Sequence, residues 1–173
     1  MKREYLLVDG YNIIHAWDEL LDLSQVSLES ARHKLMDIMS NYQGFKSNLC
    51  VIVVFDGYLV KGNIGTAFEY NNIYVVYTKE AETADHYIEK TVNKMPKECK
   101  IRVATSDGLE QLIILGNGAS RMSARELKLE IRDAEKTMRE EFIDNRPPKN
   151  NLLMDNLDEH TRNLLEMMRR QKR

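Results

Sequence analysis

The sequence has few of the features that mark several common protein classes. Its 173 residues include only two cysteines, Cys50 and Cys99, and each flanks a predicted buried strand, so we expect reduced thiols rather than a disulfide. Its apolar runs are no longer than a strand, which excludes a membrane span. The first residues lead directly into a short strand, with no apolar leader. These absences predict a cytoplasmic protein.

Signatures of organic cofactors and of zinc are also missing. The sequence contains no P-loop, and its Gly116-Asn117-Gly118 segment follows a predicted helix and lacks the spacing of a dinucleotide fingerprint. The four histidines are scattered, so neither a zinc site nor a nucleophile–base pair can be read from them. A haloacid-dehalogenase phosphatase would need a second aspartate where Tyr11 stands. We therefore expect no organic cofactor.

Excess positive charge is absent as well. The formal net charge is -2, whereas a protein that holds nucleic acid by electrostatics alone is usually basic. Any function on nucleic acid must therefore use a local basic patch, or a partner that presents the substrate.

Apolar residues alternate between the spacing of strands and the spacing of helices. Strands are predicted at residues 4–8, 49–55, 73–78 and 101–105. Helices are predicted at 28–43, from Thr83 to Pro96, at 107–115, from the capping box Ser123–Glu126 to about 143, and at roughly 152–170. Residues 57–72 are predicted to form a loop or a short irregular hairpin. This alternation predicts a parallel sheet covered on both faces.

Four aspartates stand where the predicted strands end or the next helix begins. Asp9 and Asp56 each close an apolar run and precede Gly-Tyr, Asp107 follows the strand at 101–105, and Asp85 opens a helix. Each alone has an ordinary explanation as a turn residue, a helix cap or a partner of the helix dipole. Together they fall outside the carboxyl ends of parallel strands, where ligands bind in open α/β sheets. The joint pattern predicts a metal site.

The ligand chemistry of this site favours a hard divalent cation. Carboxylates without a histidine or cysteine cluster suit Mg²⁺ or Mn²⁺ rather than zinc. Acids that hold one or two such ions can activate a water and neutralise a phosphodiester in an in-line displacement. The acids therefore indicate hydrolysis with a metal.

Three neighbouring polar residues could support the acids. Asn12 could orient Asp9 or contact substrate, or it could cap the next segment. Ser106 could supply a hydroxyl to the site or cap a helix. Glu82 could be a supporting acid or a solvated loop charge.

A few basic residues near the predicted crevice could contact a phosphate group. Lys61 closely follows the second acidic strand end, and Arg121 and Arg125 lie near the predicted crevice. Tyr11, Trp17 and Tyr58 could offer stacking surfaces, although a position in the core is the commoner explanation for such aromatics.

Five segments carry the motifs of a known family, in the family's order, over roughly residues 4–145. They are residues 6–14, 51–56, 78–85, 103–107 and 118–127. In these segments the chain resembles the YacP-like NYN-domain family, a branch of the PIN-like ribonuclease superfamily. The resemblance implies a PIN-like three-layer α/β/α sandwich with a central, mainly parallel sheet. Residues 1–145 would form the nuclease domain, and residues 146–173 a helical extension packed on it or projecting from it.

The resemblance also implies an activity and a set of site residues. It implies a divalent-metal-dependent endoribonuclease that cuts mRNA on the ribosome, with acidic ligands at Asp9, Asp56, Asp85 and Asp107. Asn12, Glu82 and Ser106 would support them. The near-neutral charge fits this expectation, because the ribosome rather than a basic patch would position the RNA.

Two other functions remain open from the sequence. One is a non-catalytic ribosome- or RNA-binding module whose acids are structural or bind a regulatory ion. The other is a metal-dependent nuclease that acts on flap or otherwise structured DNA. Comparing single-stranded RNA with flap DNA as substrates separates these functions from the first.

Overall fold

The computed structural model describes residues 4–46, 48–59, 65–96, 98–106 and 119–144, with side chains to residue 141. Its strands are β1 (Glu4–Asp9), β2 (Leu49–Phe55), β3 (Thr66–Tyr70), β4 (Ile73–Tyr77), β5 (Lys100–Ala104) and β6 (Ser120–Met122). Its helices are α1 (Gly10–Ala16), α2 (Asp18–Val26), α3 (Leu28–Gly44), α4 (Ala84–Lys94) and α5 (Ala124–Asp144). A short 3₁₀ turn spans Gly57–Leu59.

The strands form a six-stranded sheet in the order β3-β4-β2-β1-β5-β6. All neighbouring pairs are parallel except β3 and β4, which form an antiparallel hairpin at one edge. Central β1 pairs on one side with β2, where Asp9 aligns with Val54, and on the other with β5, where Val8 aligns with Ala104. The prediction of a mainly parallel sheet is therefore confirmed.

Apolar side chains of the central strands point alternately to the two faces of the sheet, as the two-residue period of a strand requires. Leu6 and Val8 belong to a core that includes residues of α1, α2, α3 and α5. Leu7 belongs to the opposite core, in which Ile88 and Val92 of α4 cover the sheet. Helices thus lie on both faces, and the predicted three-layer α/β/α arrangement is confirmed.

The chain divides into two compact units, Met1–Thr137 and Met138–Arg173. The first contains the sheet and α1 to α4. Of the second, the structure describes the end of α5 and no more. The helices predicted at 107–115 and 152–170, and the predicted boundary near 145, lie outside the described residues. Among the described helices, none combines the length and apolarity that crossing a membrane requires.

Some described elements differ from the sequence prediction. The structure shows α1 and α2 between β1 and α3, where the sequence predicts no helix. Of the two alternatives for residues 57–72, the hairpin is the one observed, at β3 and β4. The turn between these strands uses Asn71, whose φ of 52° lies in the left-handed region that asparagine tolerates.

Candidate active site

The candidate site lies at the carboxyl edge of the parallel strands. β1 ends at Asp9, and β2 ends at Phe55, directly before Asp56. β5 ends at Ala104 and leads into Thr105 and Ser106. Because these strands are mutually parallel, their carboxyl ends share one edge of the sheet. Asp9 and Asp56 therefore lie at the strand ends where the sequence places them.

Asp9 is the most buried acid of the site, with only 5% of its surface exposed. It caps the N-terminus of α1, because its Oδ1 accepts a 3.1 Å hydrogen bond from the backbone N–H of Asn12. The Asn12 side-chain amide donates to Oδ2 at 3.4 Å. Both carboxylate oxygens of Asp9 are therefore oriented by Asn12, which is one of the roles that the sequence leaves open for this residue.

The electrostatic environment of Asp9 disfavours its ionised form. Burial raises the pKa of Asp9 from its ordinary value of 3.8 to about 7, and the charges of Asp85 and Asp56 add to the rise. The hydrogen bonds from Asn12 oppose it. Both charges disfavour the ionised form of Asp9, as expected for acids that lie near one another.

Asp56 connects the end of β2 to the beginning of α4. Its Oδ1 accepts a 2.7 Å hydrogen bond from the backbone N–H of Ala84, one of the N–H groups that a helix leaves without an internal partner. Next to it, the backbone N–H of Gly57 donates to Thr78 Oγ1 at 3.0 Å. Asp56 thus has the structural role that the sequence left open, and through it the position of α4 is fixed relative to the sheet.

Helix α4 presents Asp85 in its first turn. Thr83 is the N-cap, with its side chain accepting from the backbone N–H of His86 at 3.2 Å. Asp85 is exposed, and the helix dipole at this end favours its negative charge. Glu82, just before the helix, forms an ion pair with Lys90 at 3.2 Å. This ion pair gives Glu82 a partner on α4, a contact that the sequence does not predict.

Three of the remaining predicted site residues are described by the structure, and two are not. Ser106 is exposed at the carboxyl end of β5. Arg121 lies on β6 and Arg125 in the first turn of α5, and both are exposed at the edge of the sheet opposite β3. Asp107 and Lys61 lie outside the described residues.

Gly10, directly after Asp9, allows the chain to turn against the core. A Cβ on Gly10 would lie 2.2 Å from Cε1 and 2.4 Å from Cδ1 of the Phe55 ring, far inside contact distance. Phe55 is itself fully buried. Packing therefore explains the glycine of this Asp-Gly-Tyr sequence, since a larger residue at position 10 would displace the strand end that carries Asp9.

One group beside the acids has no counterpart in the sequence prediction. The Arg32 Nη1 of α3 donates a 3.0 Å hydrogen bond to Tyr11 Oη, and its Cζ lies 6.0 Å from the centre of the Tyr77 ring. Burial raises the pKa of Tyr11, with Asp56 among the charges that add to the rise, so this hydroxyl lies near the acids. No local motif marks Arg32, because its partners come from distant parts of the chain.

Two of the predicted stacking aromatics are core residues. Trp17, between α1 and α2, is 3% exposed, and its indole N–H donates to the Ala124 carbonyl at the start of α5 at 2.9 Å. Tyr11 is 5% exposed. Tyr58, in the turn after Asp56, is 63% exposed and stays available for stacking.

The donor chemistry of the site fits a divalent cation. Among the residues that the structure describes, no three acidic, histidine or cysteine side chains converge closely enough to hold a metal by themselves. Asp107, the fourth predicted acid, would have to complete the set. The oxygen donors are those that Mg²⁺ and Mn²⁺ prefer, and a cation beside Asp9 would relieve the unfavourable ionisation that burial and like charges impose.

Comparison with a family model, with a known sequence and with solved structures finds YacP proteins in each case. The family model described as YacP-like NYN domain matches residues 6–170. An uncharacterised protein, YacP of Bacillus subtilis strain 168, is 47% identical over 134 residues, which are 77% of this chain and 78% of that protein. The crystal structure of Rae1 (YacP) from Bacillus subtilis superposes with a TM-score of 0.70 at 41% identity, covering 96% of this chain and 95% of the other. A single-substitution mutant of Rae1 gives a TM-score of 0.69 at 37% identity, covering 95% and 99%.

Proposed function

Because the chain belongs to the YacP-like NYN-domain family, we propose that it is a divalent-metal-dependent endoribonuclease that cleaves mRNA in association with the translating ribosome. Membership of the family supports a nuclease-type function, and with it RNA as the substrate. Metal dependence, endonucleolytic cleavage and the ribosome are the parts that we propose.

Asp9 is the observation that carries this proposal. A purely structural cap at the start of α1 needs a hydrogen-bond acceptor but no negative charge, and asparagine or serine would serve. The chain instead buries a carboxylate beside two other acids, which raises its pKa to about 7. Burying such a group is costly unless a cation is meant to join it, and perturbed carboxylates of this kind cluster at functional sites.

The proposed roles of the acids follow from their surroundings. Asp9, Asp85 and Asp107 would hold Mg²⁺ or Mn²⁺. When bound, such an ion activates a water and neutralises the phosphodiester. Asn12 orients the Asp9 carboxylate through both of its oxygens. Asp56 fixes the first turn of α4, and so the position of Asp85, because it accepts from Ala84 N–H.

Other predicted residues would contact the site or the RNA. The exposed Ser106 hydroxyl would lie next to Asp107 and could hydrogen-bond a phosphate oxygen or the attacking water. Glu82 would act indirectly, since it pairs with Lys90, nearly two turns into α4. Lys61, Arg121 and Arg125 would contact RNA phosphates.

The low net charge supports a role for the ribosome. Unassisted binding to RNA gains its free energy mainly from cations that replace condensed counterions. With a formal charge of -2, the chain lacks a general excess of such cations. A partner that already holds the mRNA would remove the need for one.

A cleavage assay with purified protein tests the activity. Unstructured RNA and flap DNA would be compared with Mg²⁺, with Mn²⁺ and with a chelator, each with and without ribosomes. We expect metal-dependent cleavage of RNA, and a loss of at least about a hundredfold in Asp9→Asn, because even residues that act only through a metal ligand cost about 10–100-fold. Asp22→Asn, an exposed acid of α2, is the matched control and should cleave normally.

The alternatives predict different results in the same assay. Preferential cleavage of flap DNA would indicate a structure-specific DNA nuclease. Ribosome binding without cleavage under any metal would indicate a non-catalytic module. Cleavage of RNA by Asp9→Asn at the wild-type rate would exclude the proposed mechanism.

A further inference from the structure

A series of aromatic rings extends from the acids to the outer edge of the sheet. The Tyr11 and Phe55 rings meet edge to face with centroids 5.2 Å apart. Phe55 stacks on Tyr77 at 5.6 Å, and Tyr77 stacks on Phe68 of the edge strand β3 at 5.9 Å. The series starts beside Asp9 and ends at Phe68, which is 39% exposed.

Arg32 lies over this series and is held by tyrosines rather than by acids. Its guanidinium donates to Tyr11 Oη and lies over the Tyr77 ring. Among the described residues, the ion pairs do not include Arg32. Glu29, one turn earlier on α3, is near enough to influence the pKa of Tyr77 but does not pair with Arg32.

Arg102 of β5, which pairs with β1 and β6, is an example of an arginine in this chain whose charge is paired with carboxylates. It is paired with two carboxylates, Glu4 at 2.5 Å and Glu130 at 2.7 Å. Arg32 is also partly buried, yet its positive charge is not balanced in this way. A guanidinium has five N–H donors in a planar fork that matches the oxygens of a phosphate.

We propose that Arg32 and Phe68 bind a single-stranded RNA segment that leads from the acids toward β3. Arg32 contacts a backbone phosphate near the scissile one, and Phe68 stacks on an unpaired base farther along the strand. The inference rests on the proposed function, because it takes the substrate to be RNA. A single strand is required, since an exposed ring can stack only on a base that is free of a duplex.

RNA is the occupant that this surface favours. A neutral protein partner would gain from the exposed ring but would have no group for the guanidinium, whereas RNA supplies both an anion and a stacking face. Arg32 is also hydrogen-bonded to Tyr11, two residues after Asp9, and the buried rings of Tyr11 and Phe55 connect this place to Tyr77 and the exposed Phe68. Docking of a second copy or of another protein on β3 is the rival outcome.

Equilibrium binding of a short, unstructured, fluorescein-labelled RNA provides the test. Full-length protein would be titrated in the presence of a chelator, which prevents cleavage, at several salt concentrations. We expect Arg32→Gln to weaken binding about tenfold and to reduce the slope of log K against log salt by about 0.7, the value for one lost phosphate contact on a single strand. Phe68→Leu should weaken binding at least fivefold, about the lower bound for losing a base stack, and leave that slope unchanged.

Matched control variants lie on the same elements. Lys34→Gln removes a positive charge two residues farther along α3, where side chains point away from those at position 32. Tyr74→Leu removes a half-exposed ring of the same hairpin, but Tyr74 pairs with Glu69 while Phe68 pairs with Val75, so it lies on the opposite face. Both controls should bind RNA like the wild type.

Arg32→Lys is a second variant that tests the inference even if Arg32→Gln has a folding defect. It keeps the charge but not the planar fork, so we expect the wild-type salt slope with weakened affinity. Thermal unfolding of every variant would show that the fold is retained.

The results separate this inference from the proposed function. Wild-type affinity in both Arg32→Gln and Phe68→Leu, or no measurable binding by the wild type at low salt, would overturn the inference. Unchanged RNA binding with altered self-association of Phe68→Leu would overturn it in favour of protein docking. Arg32-dependent binding by a protein that cleaves no RNA would support the inference while the proposed activity fails.

Discussion

Asp9 combines two roles that place opposite demands on one residue. As the N-cap of α1 it stabilises the fold by accepting from Asn12. As a buried carboxylate near Asp56 and Asp85 it destabilises the same fold whenever it is ionised without a cation. A residue that costs stability and is retained at a site is typical of function rather than of packing.

Replacing Asp9 by asparagine should therefore stabilise the metal-free protein while it abolishes cleavage. The pKa of Asp9 is about 7 in the folded state against an ordinary 3.8, so the folded state binds more protons between these values. The free energy of unfolding of the wild type should fall as pH rises through this range. The excess in the free energy of unfolding of Asp9→Asn over the wild type should increase from about pH 4 to pH 7 and then level off, with an upper limit of about 4 kcal/mol.

Urea unfolding of both proteins at several pH values, with a chelator present, measures this difference. Added Mn²⁺ should stabilise the wild type more than the variant. If the variant is less stable than the wild type at pH 8, the Asp9 carboxylate stabilises the metal-free fold overall, which would contradict this prediction.

Gly10 should tolerate no side chain. In Gly10→Ala the new Cβ would meet the buried Phe55 ring, so we expect a loss of about 1–3 kcal/mol from overpacking. Gly44→Ala is the matched control, because its nearest neighbour is the Asn72 side chain at 3.8 Å and alanine is the better helix former. Equal stability of the two variants in thermal unfolding would contradict the assigned packing.

The sequence identifies the acids but not Arg32, and the reason is physical. The acids are visible because strand ends are marked locally, by an apolar run that stops at Asp-Gly. Arg32 has its significance only through Tyr11 and Tyr77, which are 21 and 45 positions away and meet it only when the sheet forms. Contacts between residues that are so far apart in the chain cannot be predicted from a local sequence pattern.

Helix α4 shows how an element can carry a site residue into place. Its first turn is held by Thr83 and by Asp56, which reaches it from the end of β2. Asp85 follows directly, so the position of this acid depends on a contact between two elements that are distant in sequence.

Removing the Asp56 carboxylate should loosen this connection. Asp56→Ala leaves Ala84 N–H without its partner and should cost about 0.5–2 kcal/mol, the usual range for a lost cap. Asp56→Asn keeps an acceptor, so it should retain most of the stability and much more cleavage than Asp9→Asn. Cleavage by Asp56→Asn as low as that of Asp9→Asn would instead make Asp56 a metal ligand.

The elements with strong apolar periodicity are those that the sequence predicts well. The capping box is confirmed, since Ser123 and Glu126 exchange hydrogen bonds at the start of α5. α1 is missed because it has only seven residues and begins with Gly10. β3 is hard to recognise because four of its five residues are exposed at the edge of the sheet, so no apolar run marks it.

For the molecule as a whole, the fold favours a hydrolytic site, whereas the net charge does not favour binding to RNA. The parallel sheet places Asp9 and Asp56 at one edge, where ligands bind in open α/β sheets. The formal charge of -2 gives no general attraction for RNA. A local surface such as Arg32 and Phe68 can guide a strand that is already present, and the ribosome would bring that strand to the enzyme.

Mapping of new 5′ ends on one mRNA, in translated and untranslated form, tests whether the protein cleaves mRNA on the translating ribosome. The mRNA would be incubated in a translating extract with wild type, Asp9→Asn or the control Asp22→Asn. We expect discrete new 5′ ends on the translated form, made by the wild type and Asp22→Asn but lost in Asp9→Asn. The same ends with Asp9→Asn, or equal cleavage of the untranslated mRNA, would contradict this expectation.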